Sequence, residues 1–344
     1  MRIFFNLKFL FFLYIVCLIG YSSYDHLKKL LEPVSTQPVY VIVDIPKGTS
    51  FKNVAQLLEE KGLIRSKEAF AALAWYRKEA SLIKAGEYKL SPSMTPENIL
   101  KILVSGQVVQ HLVTIPEGYN MFQIADLLQR ANLAKKEDFL AVCTDKKILE
   151  ELNIHGEDSA EGYLFPDSYF LPKGVSAQDI VRNFVGRFWD VWKDNDFDQR
   201  IKELGVSVHY VVTLASIVEL EAAVQEEKPI IASVFWNRLE KGMPLQADPT
   251  VKYGIMVERK IKKKRLTWRD LRKATPYNTY TRYGLPKGPI CNPGLISIKA
   301  VLYPEDTKYL YFVSKGNRKH YFSKTLKEHN RAVKRYILNR KRGK

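Results

Sequence analysis

The sequence predicts an α+β protein in three parts: an N-terminal transmembrane helix, a small α/β module, and a larger, mainly helical domain that carries a small sheet. Three observations predict it. An apolar run lies close to the amino end, a strand–turn–helix pattern occurs twice in the first half, and helical periodicity dominates from about Ala177 onward. A chain of 344 residues with 46% hydrophobic and 12% aromatic content can bury a substantial core in more than one domain, and it is not a disordered polypeptide.

The first element is the run Phe9-Leu10-Phe11-Phe12-Leu13-Tyr14-Ile15-Val16-Cys17-Leu18-Ile19-Gly20, with Arg2 and Lys8 before it. Alone it is short for a bilayer, but Lys8 can snorkel to the headgroups and let Ile3 to Leu7 count toward the span. A cleaved signal peptide is the alternative, yet the exit Tyr21-Ser22-Ser23-Tyr24-Asp25 offers no small-x-small cleavage site. Ile15-Val16 before Cys17 argues against a lipoprotein anchor. Positive charge at the amino end places the chain beyond about Tyr24 outside the cytoplasm. Residues 1–24 are therefore read as a cytoplasmic tip and anchor, and 25–37 as a linker.

Val39-Tyr40-Val41-Ile42-Val43-Asp44-Ile45 has strand composition and opens a module read as 38–115. Ile45-Pro46-Lys47-Gly48 turns into a helix from Phe51 to Leu58. The same pattern returns as Ile115-Pro116-Glu117-Gly118, followed by a helix from Met121 to Leu128, with Asn120 and Gln123 placed as a capping box. Ala85 to Leu90 reads as a strand, Pro96 to Val104 as a helix and Lys136 to Leu152 as one helical stretch. Residues 116–175 form a connecting region around the second repeat. The aromatic loop from Glu161 to Tyr169 is a domain junction, a sugar-stacking wall or plain core; Phe165 reads as core, while Tyr163 and Asp167 stay open.

Residues 176–344 read as the helical domain. Helices are expected at Asp179–Val191, Phe197–Leu204, His209–Val224, Lys228–Lys241, Leu266–Lys273, Ile296–Val301 and Ser323–Leu338. Short strands are expected at Tyr309–Val313 and Lys319–Phe322. The three cysteines form no Cys-x-x-Cys pair and the six histidines are scattered singly, so neither a disulfide framework nor a metal site is predicted. The formal charge of +17 concentrates in Arg259 to Arg265 and from Lys315 to Lys344. Outside a membrane, the polyanions that such runs meet are lipid headgroups and acidic wall polymers.

The segment His209 to Val224 is apolar nearly all the way round, as a buried helix is. Glu219 and Glu221 near its end are costly there unless bonded, paired or set at a cleft, and burial raises a carboxyl pKa toward what a general acid needs. Positions two apart point about 200° apart on a helix, so the two acids cannot share one role, and periodicity does not choose between them. Helix-end salt bridges are the plain alternative for both. The downstream loops combine amides, hydroxyls and aromatics, groups that read sugar hydroxyls and acetamido arms.

Four motifs occur in order: Ala215-Ser216-Ile217-Val218-Glu219-Leu220-Glu221, Leu245-Gln246-Ala247-Asp248-Pro249-Thr250-Val251-Lys252-Tyr253-Gly254, Tyr277-Asn278-Thr279-Tyr280, and Gly284-Leu285-Pro286-Lys287-Gly288-Pro289-Ile290. In these the chain resembles the endolytic murein transglycosylases of the MltG (YceG-like) family, over nearly its whole length. The resemblance implies a lysin-motif-like module in the first half and a lysozyme-like catalytic domain in the second. It implies lytic cleavage of the β-1,4 MurNAc–GlcNAc bond in nascent peptidoglycan, leaving 1,6-anhydroMurNAc ends and terminating glycan elongation. It assigns catalysis to Glu221 and makes Gln246, Asp248, Tyr277, Asn278 and Tyr280 the expected cleft-lining residues. It calls for no metal or other cofactor. The partners it implies are peptidoglycan strands, the cell membrane and wall-synthesis complexes, with no nucleic acid, for a single-pass protein whose catalytic domain is extracytoplasmic. The chain departs from the family at Ala222, where a hydroxyl residue often follows the glutamate. Two other readings stand beside this one: a silent wall-binding scaffold, from the repeated module and basic tail, and a nucleic-acid or membrane-surface binder, from the charge.

Overall fold

In the computed structural model the described residues are 2–261 and 263–339, excluding the side chains of residues 2–8, 19, 20 and 23. Lys262 and the last residues of the basic tail lie outside them, as do the side chains of Ile3 to Leu7 that the expected span includes. Helix α1 (Arg2–Leu30) is continuous over 29 residues. Its described apolar stretch is Phe9–Leu18, and among the described residues no single helix is long and apolar enough to cross a membrane.

The chain divides into two units, Met1–His111 with Phe170–Gly174, and Leu112–Tyr169 with Val175–Lys344. The first contains β1 (Val41–Ile45), α2 (Phe51–Glu60), α3 (Lys67–Tyr76), β2 (Gly86–Leu90) and α4 (Pro96–Ser105). Strands β1 and β2 are antiparallel, with Val43 opposite Tyr88. Period-two alternation turns Val43, Ile45, Tyr88 and Leu90 inward onto Val54, Leu58, Phe70 and Leu100. Helix α3 was not among the expected elements. Its signal is Ser66, whose side chain accepts from the Ala69 amide ahead of an alanine-rich run.

In the second unit, part of β3 (Gln110–Thr114) and β4 (Ser168–Pro172) precede and follow α5 (Met121–Arg130), α6 (Lys136–Cys143) and α7 (Lys146–Glu151). The single helical stretch expected over 136–152 is two helices, because the Asp145 side chain caps a new start by accepting from the Lys147 and Ile148 amides. Then come α8 (Ala177–Asp194), α9 (Phe197–Leu204), α10 (Val208–Glu221), α11 (Lys228–Glu240), α12 (Asp248–Arg259), α13 (Trp268–Leu271), α14 (Leu295–Leu302), the antiparallel hairpin β5 (Tyr311–Ser314) and β6 (His320–Ser323), and α15 (Leu326–Val333). Helix α10 is buried along Val211 to Val218, held between α11, α12 and α14.

Three differences from the expected elements bear on the site. Helix α10 stops at Glu221 rather than Val224, since Ala222 is already extended (φ −80°, ψ 118°). The segment read as loop from Asp248 onward is α12. Pro249 fits its first turn, where no amide bond is lost, and Asp248 suits the positive end of the helix dipole. The helix expected at 266–273 is only the one turn of α13.

Candidate active site

The two glutamates at the end of α10 have different surroundings. Glu219 points inward and is fully bonded: Lys228 Nζ lies 3.0 and 3.1 Å from its two oxygens, and Gly294 N (3.0 Å) and Ser297 Oγ (2.6 Å) donate to Oε2. Both ion-pair side chains are nearly inaccessible, at 8% for Glu219 and 4% for Lys228. A buried carboxylate with this many donors is a structural anchor.

Glu221, the last helical residue, is part-exposed. Desolvation, reinforced by the Asp248 carboxylate, pushes its carboxyl up to about 7, against the opposing pull of Lys252, Arg238 and the Asp248 amide. Arg238 is buried by commitments elsewhere: Nε donates to Leu310 O (2.7 Å), Nη1 donates to Leu245 O (2.8 Å), and the guanidinium lies 5.2 Å from the Tyr311 ring centre. It therefore supplies a fixed positive charge on a rigid support.

The motifs that are separate in sequence are joined here by hydrogen bonds. Gln246 N donates to Thr279 O (3.1 Å), Ala247 N donates to Thr279 Oγ1 (2.9 Å), and the Thr250 and Thr279 hydroxyls are 2.9 Å apart. Tyr280 OH donates to Asp248 Oδ1 at 2.7 Å, and this contact together with burial raises the phenol pKa. Gly254 is where α12 meets the 275–280 loop; a β-carbon there would sit 2.4 Å from Thr275 Oγ1 and 3.3 Å from Tyr277 Cβ. The loop from Gly284 to Ile290 reaches α10 through Ile290 N, which donates to Ser216 Oγ (3.1 Å).

Of the expected cleft residues, Asp248 and Gln246 are exposed, and Gln246 holds φ +53°, a conformation uncommon for a side-chain-bearing residue. Tyr280 is half-buried on Asp248. Tyr277 packs edge-on against Tyr253, and burial raises its pKa to about 12. Asn278 differs. It is wholly buried, its Nδ2 donates to Leu271 O and Lys273 O, and its Oδ1 accepts from Tyr280 N. It holds the loop and presents no atom to a cleft, because every polar group it has is used internally. Tyr163 and Phe165 are both buried, so the aromatic loop is core. Asp167 pairs with Arg187 at 2.7 Å.

The turn of the second repeat lies against the same helix end. Gly118 N donates to Asn292 O (3.0 Å), and Asn292 N donates to Tyr119 O (2.9 Å). Gly118, at φ +76°, leaves only 3.3 Å between an added β-carbon and Leu220 Cδ2. Beneath this turn sits Glu161, which is buried. Its carboxylate accepts from Met121 N, Tyr253 OH (2.9 Å) and Asn292 Nδ2 (3.0 Å), while desolvation raises it to about 8. With no open face, it fastens α5, α12 and the Asn292 loop to one another. Glu161, Lys228, Arg238, Lys252 and Asn292 were not singled out from sequence. Lys252 stands among the apolar and turn residues of its motif with no partner the sequence reveals, and Glu161 stands in a loop whose aromatics dominate its reading.

Fold and site together define a class: an α+β protein with a part-exposed carboxyl of raised pKa at the end of a buried helix. The profile of the YceG-like family matches residues 43–335. A Bacillus subtilis protein named endolytic murein transglycosylase is 36% identical over 332 residues, covering 91% of this chain and 89% of that protein. A Streptococcus pneumoniae protein of the same name is 30% identical over 361 residues, covering 97% of this chain and 65% of that longer protein. A crystal structure of a YceG-like protein from Listeria monocytogenes aligns with TM-score 0.59 and 35% identity over 86% of this chain and 100% of that one. The chain belongs to the YceG-like family.

Proposed function

We propose that this chain is an endolytic peptidoglycan transglycosylase that cuts the β-1,4 bond between N-acetylmuramic acid and N-acetylglucosamine within nascent strands. Its similarity to proteins named endolytic murein transglycosylase supports the substrate. The observation that carries the chemistry is the Glu221 carboxyl raised to about 7 at the solvent-reaching end of a buried helix. A carboxyl in that range is both acid and base near neutrality.

Protonated Glu221 donates its proton to the glycosidic oxygen, and the C1–O bond breaks with its electron pair leaving on the N-acetylglucosamine hydroxyl. The carboxylate then takes the proton of the muramic C6 hydroxyl as O6 bonds to C1. This closes the 1,6-anhydro ring, returns the proton to Glu221 and consumes no water. Hydrolysis normally uses a second carboxylate to activate water or form a glycosyl intermediate. The neighbouring Asp248 is tied to Tyr280 OH instead, and its role here is to favour the protonated state of Glu221 and the positive charge that develops at C1. Gln246, Tyr277 and Tyr280 border the strand.

Helix α1 anchors the protein in the cell membrane with the folded units outside the cytoplasm, where nascent strands and the wall-synthesis complexes are found. The β1-α2-α3-β2 arrangement serves as the lysin-motif-like module. Mass spectrometry of ends released from purified strands tests the reading: anhydro ends with the wild type and none with Glu221→Gln are expected, and hydrated reducing ends would overturn it.

A further inference from the structure

A cavity of about 380 Å³, within the usual size range of small-ligand sites, opens beside the catalytic helix end, lined by residues that include Asn120, Leu220, Lys252, Tyr253, Met256 and Ile290. Its polar lining is unbalanced. Asn120 is 91% buried by virtue of its 9% exposure, its Oδ1 accepts from Gln123 N, and its Nδ2 meets only Met256 Sδ at 3.8 Å, a weak acceptor. A buried amide donor without a proper acceptor is the kind of group that a ligand satisfies. Lys252 makes no ion pair among the described residues, and its charge reaches Glu221. Lys263, by contrast, is already neutralised by Asp270 at 2.6 and 2.8 Å.

The acceptors of the lining are few. Gln123 Oε1 accepts from Asn120 N, and the Tyr253 hydroxyl, its hydrogen turned to Glu161, is the one acceptor left beside them among the described residues. A sugar ring presents hydroxyls that need donors and acceptors alike, whereas this lining offers donors beside the apolar surfaces of Leu220, Met256 and Ile290. That combination suits a carbonyl- and carboxylate-bearing group with small apolar side chains. In peptidoglycan, the group of that description next to the scissile bond is the lactyl-peptide arm on the muramic residue.

We propose that this cavity is the subsite for the acidic peptide arm, with Asn120 Nδ2 and Lys252 as its donors, so that the enzyme prefers peptide-bearing strands over stripped ones. The proposal rests on the transglycosylase reading and adds a specificity to it. Asn120→Asp separates the two roles of this residue: a carboxylate oxygen caps α5 as well as an amide does, but the donor is replaced by a repelling anion. Lys252→Met is a second variant, at a part-exposed position.

The test measures kcat/KM of the full-length chain on purified uncrosslinked strands and on the same strands stripped of peptide by an amidase. The wild type should prefer peptide-bearing strands by about tenfold or more, the worth of one charge-assisted bond. Both variants should lose that preference through KM. Equal wild-type cutting of both substrates, variants that keep the preference, or variants that weaken both substrates alike would overturn the peptide-arm subsite. If the wild type cuts neither substrate while remaining folded, the transglycosylase reading falls and takes this proposal with it.

Discussion

At the residue scale, Glu219 and Glu221 carry opposite demands two positions apart. Glu219 accepts from an ammonium, an amide and a hydroxyl, so its oxygens are committed inside the fold. Replacing it with Ala leaves the buried Lys228 ammonium only the longer contact to Glu117 at 3.7 Å, and a denaturant melt should show a loss of roughly 3 kcal/mol. Glu221→Gln should act in the reverse sense on stability. The folded-state pKa of about 7 lies above the ordinary glutamate value of 4.5, so the native state holds a proton that the unfolded chain releases across that interval. Stability contributed by this proton is present below the unfolded value and is lost as pH rises through about 7. At pH 8 the Gln variant should therefore be more stable than the wild type, by an amount on the order of 3 kcal/mol, while cutting at least about a hundredfold more slowly. Cutting by the wild type should fall as pH rises past about 7, because the first step needs the protonated acid. A profile flat from pH 5 to pH 9 would contradict the assignment of Glu221 as that acid.

At the element scale, the site is an assembly of short contacts between α10, α12 and two loops. Gly254 on α12 is one of the tightest. Gly254→Ala should push the 275–280 loop away from α12 and shift Tyr280 from Asp248, lowering kcat more than thermal stability. Overpacking of this kind costs about 1–3 kcal/mol, or a melting shift of about 2–10 °C in a domain of this size. The elements themselves were largely legible. Helix α10 shows in its all-round hydrophobicity, α5 shows in the Asn120–Gln123 capping box, and the β1–β2 strands show in their β-branched alternation. Helix α12 was not legible, because Asp-Pro at its start and Gly254 within it carry the local signals of a loop. Only the packing of Val251 and Ile255 into the core turns that stretch into helix. The early stop of α10 was hidden for the converse reason, since Ala222-Ala223-Val224 are acceptable in a helix.

At the scale of the whole molecule, the repeated strand–turn–helix pattern serves two ends. In the first unit the turn Pro46-Lys47-Gly48 borders an open groove on its own module. In the second unit the matching turn is consumed by the end of α10, through Gly118 against Leu220 and the paired backbone bonds to Asn292. The anchor reading makes its own prediction at this scale. A chain beginning at Leu31 should fractionate with soluble protein and still cut isolated strands, while full-length protein stays with membranes; release of the full-length chain by high salt alone would remove α1 as an anchor.

The sequence by itself determined the α+β class, the succession of most elements, the burial of α10 and the family, because hydrophobic periodicity, caps and ordered motifs are local and survive without coordinates. It also showed that Glu219 and Glu221 must differ, since helical geometry turns neighbours two apart to different faces. Which environment each acid received was decided by tertiary structure. Lys228, Gly294 and Ser297 converge on Glu219, while Asp248, Lys252 and Arg238 surround Glu221. The burial of Asn278, the fastening of Glu161 and the open donor of Asn120 likewise depend on contacts between segments far apart in the chain. Desolvation and charge proximity act through space, so a carboxyl near neutral pKa exists only once those segments have folded together.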